Sequence, residues 1–269
     1  MAEQLPIFVI LSVIILSIFG VTFSQLVVNV RNKGGDVERE KIESNTTADT
    51  VKLEYLSKDG TLVTYFTDFK AHIQIFRVIV PWEEERGIVQ STPQVLCFIT
   101  RFGKNEFISS DAMSKLRQKN PTAVRTPEED KGLEKHTLNL VVNIDQSAIL
   151  SQHLYNICHD ARDSMYIEDT DVKLLSQVLN HDVDKVMSAM KSPELEKQSR
   201  CKDTSDIKKP CFCQYHLCVG WYPCGLKYCR GKDSAGKVVN YRCGIKTCRR
   251  CLLFEHFARQ KMYCLWDDL

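Results

Sequence analysis

Cysteine is the residue type in this 269-residue chain with both the numbers and the spacing to do chemistry, and ten of its twelve copies fall between Cys201 and Cys264. The run is Cys201-x9-Cys211-x-Cys213-x4-Cys218-x5-Cys224-x4-Cys229-x13-Cys243-x4-Cys248-x2-Cys251-x12-Cys264. Such a series either forms disulfides or holds zinc. Zinc modules commonly present two tight Cys knuckles a dozen or more residues apart, and only Cys248-x2-Cys251 has a two-residue spacing, with His216 and His256 as the tail's histidines. The even count favours disulfides, and no metal or cofactor is expected. Ten cysteines allow roughly a thousand pairings, so spacing alone leaves the connectivity of the tail open. Cys97 and Cys158 are the only others, and the simplest expectation is that they bond each other. That bond would close a loop of roughly 60 residues, for which chain entropy gives about 4 kcal/mol.

Other chemistry is not evident. The chain has no G-x-S-x-G, no H-E-x-x-H and no Gly-rich phosphate loop, and a thiol with a disulfide partner is no nucleophile. His153 and His159 lie on one expected helix without sharing a ligand face. The pairs His159-Asp160 and His181-Asp182 are helix neighbours expected to point apart. The protein is therefore expected to be non-enzymatic, with no catalytic residues.

An oxidising compartment is expected from three signals. Residues 5–23, LPIFVILSVIILSIFGVTF, carry no charge. With small residues at Thr22 and Ser24 they suit a signal peptide spanning 1–24 and cut before Gln25, in preference to a retained signal anchor. Asn45-Thr46-Thr47 is a glycosylation sequon in a polar stretch expected to be a surface loop. The cysteine count agrees with both. The mature product is expected to be secreted, without membrane attachment. A formal net charge of +2 gives no global field to recruit nucleic acid, and 43% hydrophobic with 26% charged residues excludes a disordered tail and a polytopic membrane protein.

The elements that would position these cysteines follow from periodicity. Residues 26–31 alternate as a half-buried strand, and 49–66 suggest two strands around a type I′ turn at Asp59-Gly60. Apolar runs recur at 73–80 and at 95–102, which holds Cys97. Ser109 and Ser110 could cap a short helix. Residues 121–136 look like a charged loop, and 138–142 return to a strand pattern. Ile149, Leu150, Leu154, Ile157, Cys158, Ala161 and Met165 fit one helix face, and Leu174 through Met190 another. The expected fold class is α+β, an antiparallel sheet with helices over 25–191, followed by a polar linker at 192–200 and a small disulfide-rich domain at 201–269.

Within the tail, Tyr222-Pro223-Cys224-Gly225-Leu226-Lys227-Tyr228-Cys229 returns as Tyr241-Arg242-Cys243-Gly244-Ile245-Lys246-Thr247-Cys248. The repeat suggests two equivalent turns with Gly at positive φ. The tail carries 13 Lys+Arg against 6 Asp+Glu, whereas 25–200 carries 23 against 27. Opposite signs could dock the two parts on each other or draw the tail to an acidic glycan. A scattered, solvated surface is the plainer reading, since basic residues do not cluster beyond adjacent pairs such as Arg249-Arg250.

The block GTLVTYFTDFK at 60–70, then VLCFI at 95–99, then LYNIC at 154–158, is similar to the BRICHOS pattern of one Asp and two paired Cys. KLRQKNP at 115–121, WYPC at 221–224, LKYC at 226–229 and CLWD at 264–267 resemble the Out at first protein family, secreted proteins whose first domain is BRICHOS-like. The resemblance implies a BRICHOS-like sheet closed by Cys97–Cys158, with Asp68 as the family aspartate linked to the folded state and its pH response. An Asp after an apolar strand also commonly caps a turn, here over Phe69-Lys70-Ala71-His72. In the family pattern eight tail cysteines recur while Cys218 and Cys251 look like an added pair, which should then bond each other. The family implies an extracellular interaction or developmental factor. In such a factor the tail would present Trp221, Tyr222, Tyr228 and Trp266 as anchors to an extracellular protein partner, although aromatics in small disulfide domains are as often core. The BRICHOS likeness implies an alternative, a chaperone that shields a β-prone peptide client by strand addition.

Overall fold

The computed structural model describes residues 24–81, 93–103, 106–118, 120–193, 198–232 and 234–268. The apolar stretch 5–23 lies outside the described residues, as does part of the expected linker, 194–197. The strands are β1 (Ser24–Arg31), β2 (Val37–Asn45), β3 (Thr50–Leu56), β4 (Leu62–Asp68), β5 (Ile73–Val80), β6 (Gln94–Arg101), β7 (Val124–Arg125), β8 (Glu129–Leu138), β9 (Leu140–Val142), β10 (Met165–Ile167), β11 (Met190–Lys191), β12 (Cys211–Lys232) and β13 (Val238–Ala258). The helices are α1 (Ser110–Ser114), α2 (Leu154–Cys158), α3 (Asp169–Val178) and α4 (Val183–Met187). Ten strands form one sheet in the order β11-β9-β10-β6-β5-β4-β3-β2-β1-β7, antiparallel except for β1–β7 and β6–β10. The long strands β12 and β13 pair as a hairpin, and β8 adds to β13 in parallel.

The apolar runs at β5 and β6 follow from burial on both sides. One face of β4–β6 carries Val63, Tyr65, Phe76, Val78, Leu96 and Phe98, in a core shared with Tyr215, Leu217, Trp221, Tyr222 and Phe254 of the hairpin. The opposite face carries Phe66, Ile73, Ile75, Cys97 and Ile99 under Leu154, Val172, Leu175 and Val186. Strands β1–β3 are covered on one side only and alternate accordingly, with Val51, Leu53 and Tyr55 buried while Lys52 and Glu54 meet solvent. The ten-stranded sheet is thus a middle layer between short helices and the C-terminal hairpin.

The α+β class stands, with more sheet and less helix than a plain α+β fold. Several finer expectations are corrected. Residues 121–136 are not simply a loop: β8 occupies half of them and β7 two more, and β8 hydrogen bonds to β13, so an N-terminal segment completes the tail's sheet. The charge-rich stretch around Asn45 is strand β2, with Glu40, Ile42 and Ser44 buried on its inner face. The two long helices are broken into short pieces. Met165 and Met190 lie in strands, and Asn180 (φ 54°) ends α3 before Asp182 caps α4 by accepting from the Asp184 amide. Leu174 and Val178 are exposed, so helical spacing overstated the buried face. His159 opens a single 3-10 turn after α2 and contacts Asp160, which also accepts from Arg77 at 2.6 Å. At Asp59-Gly60 the turn is longer than a two-residue I′ turn. Gly60 donates to the Ser57 carbonyl and Ser57 to that of Thr61, with Gly60 at φ 84°.

Cys97 on β6 and Cys158 at the end of α2 are fully buried and bonded, with Cα atoms 6.1 Å apart. The bond ties the helical layer to the sheet. Removing both thiols, Cys97→Ala with Cys158→Ala, is expected to lower unfolding stability by about 3–4 kcal/mol through the freed loop. Guanidinium unfolding of the two proteins measures this, and an unchanged midpoint would contradict the assigned role.

Candidate interaction hairpin

The β12–β13 hairpin has two parts. Its base packs on the middle sheet, with Phe254 stacked on Phe98 at 4.4 Å between centroids and Tyr222 on Phe107 at 5.8 Å. Arg250 is 3% exposed and points inward from β13. It donates to the Tyr65 hydroxyl at 3.0 Å and to Gln74 Oε1, and lies over the rings of Tyr65, Phe76 and Tyr222 at 5.3–5.6 Å. Glu106 and Glu134 stand 3.6 and 3.8 Å from its Nη1. A guanidinium keeps its charge even when buried, so these partners are what make its position tolerable. Glu255 joins three strands: Gln214 of β12 donates to it at 2.6 Å, and Thr137 and Lys135 of β8 reach it at 2.9 and 2.7 Å. Burial opposes ionisation there, but those three donors hold the carboxyl below its usual value. His256 is fully buried, and desolvation pushes its imidazole down to about 3, leaving it neutral.

A bulge at Gly220-Trp221 seats the hairpin on β1 and β2. A Cβ on Gly220 would lie 3.1 Å from Val30 Cγ1 and 3.5 Å from Glu40 Oε1, so a larger residue would force the Val30 side chain to give way and glycine fits the close approach without it. Glu40 is buried, and desolvation raises its carboxyl well above 4.5; the Trp221 and Gly220 amides oppose the shift and Glu38 adds to it.

Beyond Cys224 the hairpin leaves the core and becomes an arm. The sequence repeat forms the arm's two strands, facing each other antiparallel, in place of the expected pair of turns. Neither Gly225 nor Gly244 has positive φ. Gly225 pairs with Lys246 and Gly244 with Lys227, and each glycine's missing side chain leaves room for the opposite lysine stem at 3.6–4.0 Å. The first cysteine of each unit bonds the second of the other, giving Cys224–Cys248 and Cys229–Cys243. At the arm's root Lys227 meets Glu128 at 2.6 Å, Lys246 meets Glu129, and Arg249 meets Asp130 at 2.7 Å. Further out Tyr228, Val238, Val239 and Tyr241 are exposed by 36–62%.

The remaining bonds are Cys201–Cys211, Cys213–Cys264 and Cys218–Cys251, the last between residues directly opposite on β12 and β13. No cysteine is free. His216 approaches Cys218 Sγ at 3.9 Å, but zinc would need the thiolates that these bonds consume. Asp68 is buried at the end of β4 and works as a turn cap. Its Oδ1 accepts from the Lys70 and Ala71 amides and its Oδ2 from Ser151 Oγ at 2.6 Å. Asn45 ends β2 beside a turn, its Oδ1 accepting from Ala48 N. Of the two readings of the tail aromatics, core and surface anchor, both occur. Trp221 and Tyr222 are core residues and Trp266 donates to the Gln214 carbonyl, leaving Tyr228 exposed and joined by Tyr241. Arg250 and Glu40 were missed. Both fall in the inward set of an alternating strand, Arg250 with Leu252, Phe254 and His256, and Glu40 with Ile42 and Ser44.

Residues 24–175 match a family model described as Out at first, and residues 200–268 one described as Out at first, C-terminal. The chain is 45% identical over 254 residues to an Out at first protein of Drosophila virilis, covering 91% of this chain and 83% of that protein. It is 45% identical over 255 residues to an Out at first protein of Drosophila melanogaster, covering 91% of this chain and 52% of that one. The match thus spans about half the length of the second relative. No solved structure matches the chain.

The buried Glu40 makes stability pH-dependent in a defined sense. Its folded value lies above its unfolded one, so the stability it allows is full below about pH 4.5 and is lost as pH rises through the raised value. Glu40→Gln is expected to match the parent at acid pH and to melt higher at neutral pH. Thermal midpoints across that range check this, and a variant that melts lower at neutral pH would refute the assignment.

Proposed function

The chain belongs to the Out at first family, and from that premise we propose that it is a secreted, non-enzymatic interaction or developmental factor whose hairpin arm engages another extracellular protein. The arm carries the reading: a two-stranded ribbon, locked by Cys224–Cys248 and Cys229–Cys243, holding large apolar side chains in solvent. Isolated ribbons of this kind are marginally stable, and staples hold this one rigid at low ordering cost to a partner. Alternation gives it two faces. Gly231, Val239 and Tyr241 share one, with a Cβ on Gly231 falling 2.9 Å from the Tyr241 ring. Twelve cysteines in six bonds suit an oxidising compartment, and the apolar stretch 5–23 suits export.

The chaperone alternative has weaker support. Strand addition needs an accepting edge, and the ten-residue edge strand β8 is lined with Glu129, Asp130, Lys131, Glu134 and Lys135, a charge pattern that discourages pairing.

Because the tail shares its core with the N-terminal sheet, the test uses the full chain. Purified protein is expected to bind saturably to cells stripped of surface glycosaminoglycans, and Val239→Asp with Tyr241→Asp to weaken that binding about tenfold or more. Equal binding by the variant would sink the arm as the contact. Non-reducing mass spectrometry of the exported chain is expected to show an N-terminus at Gln25, glycan on Asn45 and the six bonds above. Retention inside the cell would overturn the secretory reading.

A further inference from the structure

The arm's second face carries a different chemistry. In register it presents Tyr228 with Arg242, Arg230 with Asn240, and Lys232 with Val238. All four aromatic or cationic residues are exposed, Tyr228 by 61%. Residues 227–246 hold six Lys and Arg and a single acid, Asp233. Lys227, Lys246 and, just beyond, Arg249 are neutralised by Glu128, Glu129 and Asp130. Among the described residues no acid is paired with Arg230, Lys232 or Arg242.

The same face continues toward the body. On this face the next pair toward the body after Tyr228–Arg242 is Leu226–Ile245, and Ile245 lines a groove of about 280 Å³ together with Leu116 and Trp221. Arg117 and Arg125 border it, without an acidic partner among the described residues; Glu128, its one acid, is bound to Lys227. Five cations thus follow one continuous surface, three of them on a rigid ribbon, where alternate residues on one strand recur every ~7 Å.

We propose that this surface, from the groove along the Tyr228–Lys232 face, binds a sulfated glycosaminoglycan chain. The molecule itself shows how an acidic polypeptide is accommodated here: β8 brings Glu129 and Asp130 to the hairpin by pairing along the edge of β13. The unneutralised cations lie instead on the face of the ribbon, where a chain without backbone donors can rest. Guanidinium forks match sulfate oxygens, and Tyr228 offers a flat apolar surface to a sugar ring. Single-stranded nucleic acid would call for successive stacking aromatics, and this face offers one.

The inference rests on the extracellular placement proposed above, but its test does not. The full chain is titrated with a size-defined heparin oligosaccharide, its desulfated counterpart, single-stranded DNA and polyglutamate. The expected result is salt-sensitive binding to the sulfated chain, at least about tenfold tighter than to the other three. Arg230→Ala/Lys232→Ala/Arg242→Ala should weaken it about tenfold, whereas Lys246→Ala, on the opposite face and paired with Glu129 outside the groove lining, should change it less than about threefold. Independently of any variant, the oligosaccharide should protect Arg230 and Arg242 of the unmodified protein from an arginine-specific reagent. No binding, equal binding to desulfated sugar, DNA or polyglutamate, an unaffected triple variant, or unprotected arginines would each overturn the proposal. Failure of export in cells, with sulfated-chain binding intact, would count against the secretory reading alone.

Discussion

A guanidinium carried into an apolar core can be held only if the surrounding groups are fixed in place, and Arg250 draws those groups from distant parts of the chain. Tyr65 and Phe76 come from β4 and β5, Gln74 from β5, Glu106 from the segment before α1, Glu134 from β8 and Tyr222 from β12. Loss of any one leaves a buried charge short of partners, which costs far more than a surface pair would. The N-terminal sheet and the C-terminal hairpin therefore constrain each other. The family's two matched segments meet in space around this residue, through one shared apolar core and one interleaved strand.

Once the base is fixed, the rest of the hairpin can extend away from it. A two-stranded ribbon buries little and would fray without help. Here the help is covalent and steric: two bonds cross the repeat, and glycine sits opposite lysine in both units. At the other end Cys201–Cys211 and Cys213–Cys264 form a small buried cluster of their own beside Ala258. The staples thus hold the ends of the hairpin while Arg250, Phe254 and Tyr222 hold its base.

Much of this could be read from the residues. The runs at β5 and β6 are apolar on both faces, and both faces are covered. The cysteine imbalance marked a boundary that the two family models also straddle. What escaped the sequence were elements decided by distant partners. β2 and β8 are charged strands whose pairing depends on neighbours that local propensity cannot see. The helices from 149 to 190 have the right spacing but are cut by turns at Arg162 and Asn180, both at positive φ. The Tyr-x-Cys-Gly repeat looked like two turns because glycine most often signals positive φ. Its use here, clearing space for a lysine across the ladder, becomes visible only in register. For Trp221 and Tyr222 anchor and core were equally open from sequence, since nothing local reveals the sheet beneath them.

The central claim, that sheet and hairpin form one cooperative unit keyed by Arg250, is tested most directly by native-state hydrogen exchange on the full chain carrying Arg250→Gln. Amide protection is expected to fall together in β4–β6, in β8 and at the base of β12 and β13, while the disulfide-locked arm changes little. Loss confined to the hairpin, with β4–β6 protected as in the parent, would contradict it and leave two independent parts.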